Sequence, residues 1–347
     1  MKKLLLSLIA ASLCIGLYGC GSNGIKEISE LNILTWDGYI PEDVLNEFEE
    51  STGITVFQSN FDSNEEMLTK ISSSSDAGYD LVIASDYIID IARNQNLLHE
   101  LDKSKIPNYK NLDENFLSKY YDPDNKYTVP YAAGTPLIVY DPAKIDVNIE
   151  GYDDLWNEKL AGKLVTLDDG RNIIGMTLKS MGNSMNTTDK AELDAAKEKL
   201  LKLKPNIHHL DYNNPHESII SGEADLAYMF TPQVCLALQE RPGLKVVYPK
   251  EGLGFGIDSW FIPKSVRNLD NAHEFLNFIT DAKIGARISE QVLYLCPNKA
   301  SVEYLSDEFK NNKAIYIPED RLLSTEFIQD VGDTASIYDE IWTAFKQ

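Results

Sequence analysis

Residues 31–57, LNILTWDGYIPEDVLNEFEESTGITVF, predict a strand, a helix and a second strand in succession. Leu31–Thr35 and Ile54–Phe57 are short apolar segments of strand length. Between them, Pro41 stands where the first turn of a helix tolerates proline, and Gly53 is placed to end that helix. A strand, a helix and a further strand are typical of an α/β sheet with parallel neighbours.

The same alternation continues along most of the chain. Further strands are predicted at Leu81–Ala84, Lys163–Leu167, Leu226–Met229 and Leu244–Tyr248. Further helices are predicted at Asn64–Ser74, Tyr87–Gln95 and Ile173–Met181, and after a capping Asp189. The pattern indicates an α/β fold with doubly wound sheets.

The two series of strands and helices are separated by two extended segments that contain Pro and Gly. These segments are Tyr127–Tyr140 and Gly252–Pro263. Such crossings predict two lobes, each with a mainly parallel sheet flanked by helices, joined by crossover hinge strands. The predicted limits are 29–133 with 258–302 for lobe 1, and 134–257 with 303–347 for lobe 2.

The N-terminus has the layout of a bacterial secretory signal. Two lysines precede an uncharged apolar run, Leu4–Leu17, which Leu17–Cys20 (LYGC) closes. The run is shorter than the ~20 residues that a membrane-spanning helix needs, which argues against the alternative of a transmembrane anchor. We therefore predict that residues 1–19 are a signal peptide.

The cysteine at the end of this signal resembles a lipobox cysteine, although Tyr18 is bulkier than the residue usual there. Cys20 is then the lipidated first residue of the mature protein, and residues 20–28 form a flexible tether. Ordinary cleavage that leaves Cys20 as a free thiol is the alternative. The expectation is an exported lipoprotein held in the periplasm or at the outer face of the cell membrane.

The chain carries a formal net charge of −22 at pH 7, and 43% of its residues are hydrophobic. Loss of residues 1–19, which contain two lysines and no acid, makes the mature charge −24. So acidic a chain repels nucleic acid and anionic lipid and attracts cations. Apart from Cys14 and Cys20, the cysteines are Cys235 and Cys296, which could pair in an oxidising compartment. We favour two separate buried thiols.

Candidate ligand-binding residues follow the predicted strands, because ligands of open α/β sheets bind beyond the carboxyl ends of the strands. The strand ends supply Trp36, Asp37, Tyr39, Ser85, Tyr87 and Asp168, and the second crossing supplies Asp258, with Tyr294 further on. Aromatic faces and carboxylates together suit an organic cation with a methylene chain. Taken singly, these aromatic residues could be rim packing and Asp86 or Asp168 a helix N-cap.

Other chemistry finds little support in the sequence. The motifs G-x-S-x-G, Walker A and H-E-x-x-H are absent, and no two histidines have the i, i+4 spacing of a helical metal pair. We therefore expect no enzyme activity, no cofactor and no metal site. The glycines of Gly252–Gly256 lead into a strand and suggest a hinge rather than a nucleotide loop.

Several segments resemble the bacterial spermidine/putrescine-binding proteins of ABC importers, in order and over nearly the whole mature chain. They include residues 31–56, YDLVIASDYIIDIARNQ (79–95), LWNEKLAGKLVTLDDGRNIIGMTL (155–178), NPHESIISGEADLAYM (214–229) and DVGDTASIYDEIW (330–342). The resemblance implies a type II periplasmic-binding-protein fold, with a ligand cleft at the hinge that closes around the ligand. It places Trp36, Tyr39, Ser85, Tyr87, Asp168, Asp258 and Tyr294 on positions that the family uses to hold the polyamine.

The chain also departs from the family pattern. Gly38 and Asn172 stand where the family has acids, Phe230 and Gly256 where it has tryptophans, and Ile328 where it has a glutamine. We keep Asp37 and Phe230 in the predicted site. Fewer carboxylates leave putrescine, spermidine and other amines open as ligands.

The resemblance implies a monomeric solute-binding protein that delivers a polyamine to an ABC permease whose ATPase is a separate subunit. One alternative is the same scaffold binding another small organic cation or an amino-acid-derived solute. A surface enzyme, and a sensor or adhesin without a transport role, are the alternatives from other classes.

Overall fold

The computed structural model describes residues 29–73, 78–322 and 324–347. The predicted signal peptide 1–19, the lipid site Cys20 and the tether 20–28 lie outside the described residues. Among the described helices, none has the length and apolar character needed to cross a membrane.

Strands and helices alternate as the sequence predicts. The strands are β1 Glu30–Thr35, β2 Thr55–Asn60, β3 Leu81–Ser85, β4 Leu98–His99, β5 Thr128–Gly134, β6 Pro136–Tyr140, β7 Leu164–Thr166, β8 Ile207–Leu210, β9 Leu226–Phe230, β10 Lys245–Val247, β11 Gly254–Pro263 and β12 Glu326–Phe327. The α-helices are α1 Glu42–Thr52, α2 Asn64–Ser72, α3 Asp86–Asn94, α4 Gly170–Lys179, α5 Lys190–Leu201, α6 Pro215–Ser221, α7 Thr231–Glu240, α8 Leu269–Ile279, α9 Ala282–Val292, α10 Asp307–Lys310, α11 Glu319–Leu322 and α12 Ala335–Lys346.

The opening segment folds as its residues predict. Helix α1 starts directly after Pro41 and ends at Gly53, whose φ of 73° is the left-handed conformation that glycine adopts without strain. Its apolar face buries Val44, Leu45 and Phe48. Strand β1 precedes this helix in the sequence, strand β2 follows it, and the two strands pair in parallel. The predicted strand–helix–strand unit is therefore confirmed.

The strands form two sheets with the same plan, and the predicted α/β fold class is confirmed. The first sheet runs β12-β11-β3-β1-β2, with β4 and β5 also paired to β11, and the second runs β10-β6-β9-β7-β8. Each contains a parallel core, made of β3, β1 and β2 in the first and of β9, β7 and β8 in the second. The strands that cross between the halves, β11 and β6, lie antiparallel to these cores.

The chain crosses between the sheets where glycine and proline punctuate it. Strand β5 ends at Gly134 in the first sheet, and β6 begins at Pro136 in the second. The return crossing lies between β10, in the second sheet, and β11, in the first. The limits given above for the two lobes stay a prediction.

Separate apolar cores support the two halves. Leu137, Leu164 and Leu226 lie in a core built around the second sheet. Two further clusters, one around Leu31 and Trp260 and one around Leu34 and Phe261, cover opposite faces of the first sheet. Cys235 and Cys296 are free, buried thiols, so the favoured interpretation of these two residues is confirmed.

Candidate functional site

Asp258 lies at the centre of the site, on β11. The strand register sets it opposite Ser85 of β3 and Ala132 of β5, so it stands at the edge of the first sheet that faces the crossing. The Tyr39 hydroxyl donates a hydrogen bond to Asp258 Oδ2 at 2.5 Å. Burial raises the pKa of Asp258, and hydrogen bonds from Tyr39 and Ser85 offset part of that rise. The carboxylate is thus fixed in orientation and partly shielded from water.

Tyrosine rings surround this carboxylate. The ring of Tyr39 lies 6.0 Å from that of Tyr294, nearly perpendicular to it, and 5.6 Å from that of Tyr131. The Tyr131 hydroxyl donates to the Tyr39 carbonyl oxygen at 2.7 Å and holds the loop after β1 in place. At Gly134 an added Cβ would lie 2.7 Å from the Tyr294 ring, so this glycine is what admits the ring.

A second aromatic group joins the two halves of the molecule. The Trp36 ring packs 4.2 Å from Phe61 and lies 6.5 Å from Tyr212, which follows β8 of the second sheet. Tyr212 in turn lies 5.9 Å from Phe230, at the end of β9. Aromatic residues that follow strands of both sheets therefore meet in the cleft between the sheets, beyond the carboxyl ends of the strands, where ligands of open α/β sheets bind.

Further charged groups border the same cleft. The Tyr87 hydroxyl donates to Glu65 Oε1 at 3.0 Å, and the Arg171 guanidinium of α4 lies 6.0 Å from the Tyr87 ring. Burial, followed by the negative charges of Glu65 and Asp169, raises the pKa of Tyr87 well above its usual value. Carboxylates from both halves therefore face the aromatic residues of this cleft.

Asp168 does not join this group. Its carboxylate is exposed and pairs with Lys346 Nζ of α12 at 3.1 Å. The neighbouring Asp169 caps α4 by accepting from the Asn172 N–H at 3.0 Å, and its charge acts on Tyr87 and Tyr212. Asp169 is the extended N-cap of α4, and successive residues of an extended chain point in opposite directions, so the two adjacent acids lie on opposite sides of the chain.

Asp37 and Ser85 take peripheral positions. Asp37 is exposed and accepts a hydrogen bond from Asn60 Nδ2 at 2.9 Å. The Ser85 hydroxyl lies 3.3 Å from Asn64 Nδ2 as well as near Asp258. Asp37 is therefore at the rim of the cleft, and Ser85 is at its floor.

Sequence reasoning missed Glu65, Asp169 and Tyr212 as members of the site. Tyr212 follows β8, and the rule that ligands bind beyond strand ends would have included it had β8 been predicted as a strand. Glu65 lies in the first turn of α2, where nothing in the local pattern separates it from the other acids of that turn. Among the described residues, no cluster of three or more His, Cys, Asp or Glu could hold a metal ion.

Two cavities of the described part of the chain are not centred on Asp258. One of about 20 Å³ borders Cys296 and Thr280 and touches Tyr131, and one of about 410 Å³ opens beside Glu274 and Phe278. Neither is bordered by Asp258, Tyr39 or Tyr294. The cleft between the sheets therefore remains the candidate site.

The sequence and the fold are both similar to known polyamine-binding proteins. The family model "Bacterial extracellular solute-binding protein" matches residues 43–317. The chain is 35% identical to the spermidine/putrescine-binding periplasmic protein of Salmonella typhimurium, over 100% of this chain and 99% of that protein. The protein of the same name from Escherichia coli K12 is 34% identical, with the same coverage.

Solved structures give the same result. A putative spermidine/putrescine ABC transporter protein from Listeria monocytogenes superimposes with a TM-score of 0.87 at 35% identity, covering 92% of this chain and 99% of that one. The Streptococcus pneumoniae spermidine/putrescine substrate-binding protein gives a TM-score of 0.80 at 33% identity, with 92% and 98% covered. The resemblance seen in the sequence is confirmed, and the family consists of substrate-binding transport proteins rather than enzymes. The chain belongs to the family of bacterial extracellular solute-binding proteins.

Proposed function

We propose that this protein captures a polyamine, putrescine or spermidine, in the cleft between its lobes and delivers it to an ABC importer. The observation that carries the proposal is the oriented carboxylate of Asp258, enclosed by Tyr39 and Tyr294 and faced by Tyr212 from the other half. The relatives from Salmonella typhimurium and Escherichia coli K12 are named for spermidine and putrescine binding, which supports the same ligand class.

Each part of the ligand has a matching part of the cleft. One ammonium group pairs with Asp258, in a charge-assisted hydrogen bond. The methylene chain lies against the aromatic rings predicted from the sequence, which are those of Trp36, Tyr39, Tyr87, Phe230 and Tyr294. The ring of Tyr212 is a further contact. Cation–π attraction to these rings contributes roughly 0.5–2 kcal/mol. A second ammonium group is placed near Asp169 and Glu65, in the part of the cleft where Asn172 replaces a family acid. Asp37 stays a rim contact, and Asp168 is replaced by Asp169 in this proposal.

The proposed protein is a monomer tethered to the membrane through a lipid on Cys20. The layout of residues 1–20 supports this anchor, and the mass of the mature chain purified from membranes tests it. An ABC permease with a separate ATPase subunit is the proposed partner, because the chain contains no ATPase motif.

Calorimetry on residues 21–347 tests the ligand, using putrescine, spermidine, cadaverine, agmatine and choline. A ligand present at about 100 times its dissociation constant should stabilise the fold by ~2.7 kcal/mol, which thermal melting detects. Stabilisation by putrescine or spermidine, and weaker or no stabilisation by choline, is the expected result. No response to any polyamine from a folded, ligand-free sample contradicts the proposal.

A second candidate is a solute that carries both an amine and a carboxylate. The Arg171 guanidinium, beside the Tyr87 ring and within the cleft, is the observation that favours it. Adding 4-aminobutyrate to the same titrations separates the two, since only the second candidate predicts that it outcompetes putrescine.

A further inference from the structure

Asp86 is a buried acid beside the candidate site, and none of the ligand contacts proposed above involves it. It is the first residue of α3, directly after β3, and is 1% exposed. Its Oδ1 accepts from the Tyr87 N–H at 2.8 Å, whereas Oδ2 is buried without a hydrogen-bond partner among the residues described. An ionised carboxylate in this state is costly, because the hydrogen bond to Oδ1 replaces only part of its lost hydration.

The groups around Asp86 favour its protonated form. The Tyr120 hydroxyl lies near it, but it also donates to the Ile328 carbonyl oxygen at 2.7 Å, which competes with donation to Asp86. Asp258, the strand partner of the preceding Ser85, adds a negative charge. Burial first and Asp258 second raise the pKa of Asp86 well above its usual value, and the N–H groups of Tyr87 and Ile257 and the Tyr120 hydroxyl offset only part of this rise.

Within the described part of the chain, the charged groups that act most strongly on Asp86 include no cation. Arg171 acts on the Tyr120 hydroxyl, and Tyr121, the other titratable group of that segment, is itself buried. On the same helix, Asp90 pairs with Arg93 at 2.6 Å. The carboxyl of Asp86, with its unpartnered Oδ2, therefore lies directly after Ser85, the strand partner of Asp258, and within range of the Asp258 charge.

We propose that Asp86 carries a proton in the ligand-free protein and that binding of the ligand's ammonium group beside Asp258 releases this proton to solvent. The O–H bond of Asp86 breaks, the proton leaves to water, and the ligand amine keeps its own protons. Asp86 is thus a specificity residue, since the cleft gains a second negative charge only when a cation is present. The proposal rests on the proposed function of the same cleft.

Coupling between ligand binding and the protonation of Asp86 makes the affinity depend on pH in one direction only. A bound cation lowers the pKa of Asp86, so affinity rises with pH between the pKa of the bound form and that of the free form. Below that range both forms keep the proton, and above it neither does, so affinity is constant on both sides. With one proton released, the slope reaches about tenfold in affinity per pH unit at most.

Calorimetry with putrescine tests this directly on residues 21–347. Amine groups stay protonated between about pH 5.5 and 8.5, so a proton released in that range comes from the protein. We expect the apparent binding enthalpy of the wild type to change with the ionisation enthalpy of the buffer, giving up to about one proton released. Asp86→Asn, which keeps the shape of the side chain, is expected to release fewer protons than the wild type and to bind with an affinity that depends less steeply on pH, since Asp258, whose pKa burial also raises, is then the acid left to titrate.

Asp90→Asn is the matched control, because it makes the same change one turn further along α3. It is expected to release as many protons as the wild type. The proposal is overturned if wild-type binding is independent of buffer at every pH, a result that needs no variant to fold. It is equally overturned if Asp86→Asn releases the wild-type number of protons. Absence of putrescine binding would instead overturn the function proposed for the cleft, and this coupling with it.

Discussion

Asp258 combines three properties that few surface carboxylates share: partial burial, a fixed orientation and aromatic neighbours. Its position on β11 comes from backbone pairing to β3 and β5, and its orientation comes from the Tyr39 hydroxyl. Because the site is prepared before a ligand arrives, little of the binding free energy is lost in ordering it.

Replacing Asp258 with Asn should therefore weaken polyamine binding strongly. Loss of a charge-assisted hydrogen bond costs about 1.5–3 kcal/mol, which corresponds to roughly ten- to a hundredfold in the dissociation constant. Titration calorimetry with putrescine measures this. The control is Asp168→Asn, the same change at an exposed acid that pairs with Lys346, where affinity should stay within a few-fold of the wild type. Equal losses in both variants would remove Asp258 from its proposed role.

The contrast between Asp168 and Asp169 shows what the sequence can and cannot predict about this site. The sequence correctly indicates that acids and rings follow the strands, since strand positions depend on local apolar patterns. Which of two adjacent acids faces the cleft depends on where α4 begins, and Asp169 rather than Asp168 is its N-cap. Tyr212 reaches Trp36 only because the two halves are folded against each other.

At the scale of elements, Gly134 of strand β5 and Gly256 of strand β11 differ in how closely other residues pack against them. Gly134 ends β5 and lies against the Tyr294 ring, whereas the side-chain position of Gly256 on β11 is open, with nothing within 4 Å of an added Cβ. The two residues are paired across the strands. The same part of the sheet therefore contains one glycine whose side-chain position is crowded and one whose side-chain position is open.

Gly134→Ala is expected to destabilise the fold by about 1–3 kcal/mol, because the Tyr294 ring must move to admit the added methyl group. The same movement displaces a ring of the cleft, so putrescine affinity should fall too. Gly256→Ala, the matched control, is expected to change the free energy of unfolding by less than about 0.5 kcal/mol. Urea denaturation of both variants measures the difference, and an equal effect of the two changes would contradict the packing argument.

The elements themselves were largely predictable, and their assembly was not. Helix α1 and strand β1 follow from Pro41, Gly53 and a run of apolar residues, all within a few positions of one another. By contrast, the antiparallel pairing of β11 with β3 joins residues more than a hundred positions apart, and its other neighbour, β12, pairs with it in parallel. No local sequence pattern indicates such long-range pairing. The sequence therefore predicts the crossing segments but not the strands with which they pair.

For the whole molecule, the net charge of −22 at pH 7 is the property that acts over the longest distance. It creates a negative field that attracts cationic ligands before any contact forms, and a divalent cation responds to it more strongly than a monovalent one. Salt reduces the range of this field, from about 30 Å at 0.01 M to about 10 Å at 0.1 M.

The association rate constant for putrescine should therefore fall by about tenfold or more between low and physiological salt, while the dissociation rate constant changes little. Stopped-flow fluorescence can follow this, since Trp36 lies in the cleft 6.5 Å from Tyr212 and its surroundings change when a ligand enters. The comparison ligand is a monoamine of the same length, for which attraction by the field is weaker and the decrease in rate correspondingly smaller. Equal salt dependence for the monoamine and the diamine would mean that the field of the whole protein does not guide the ligand, and that local contacts at Asp258 account for its capture.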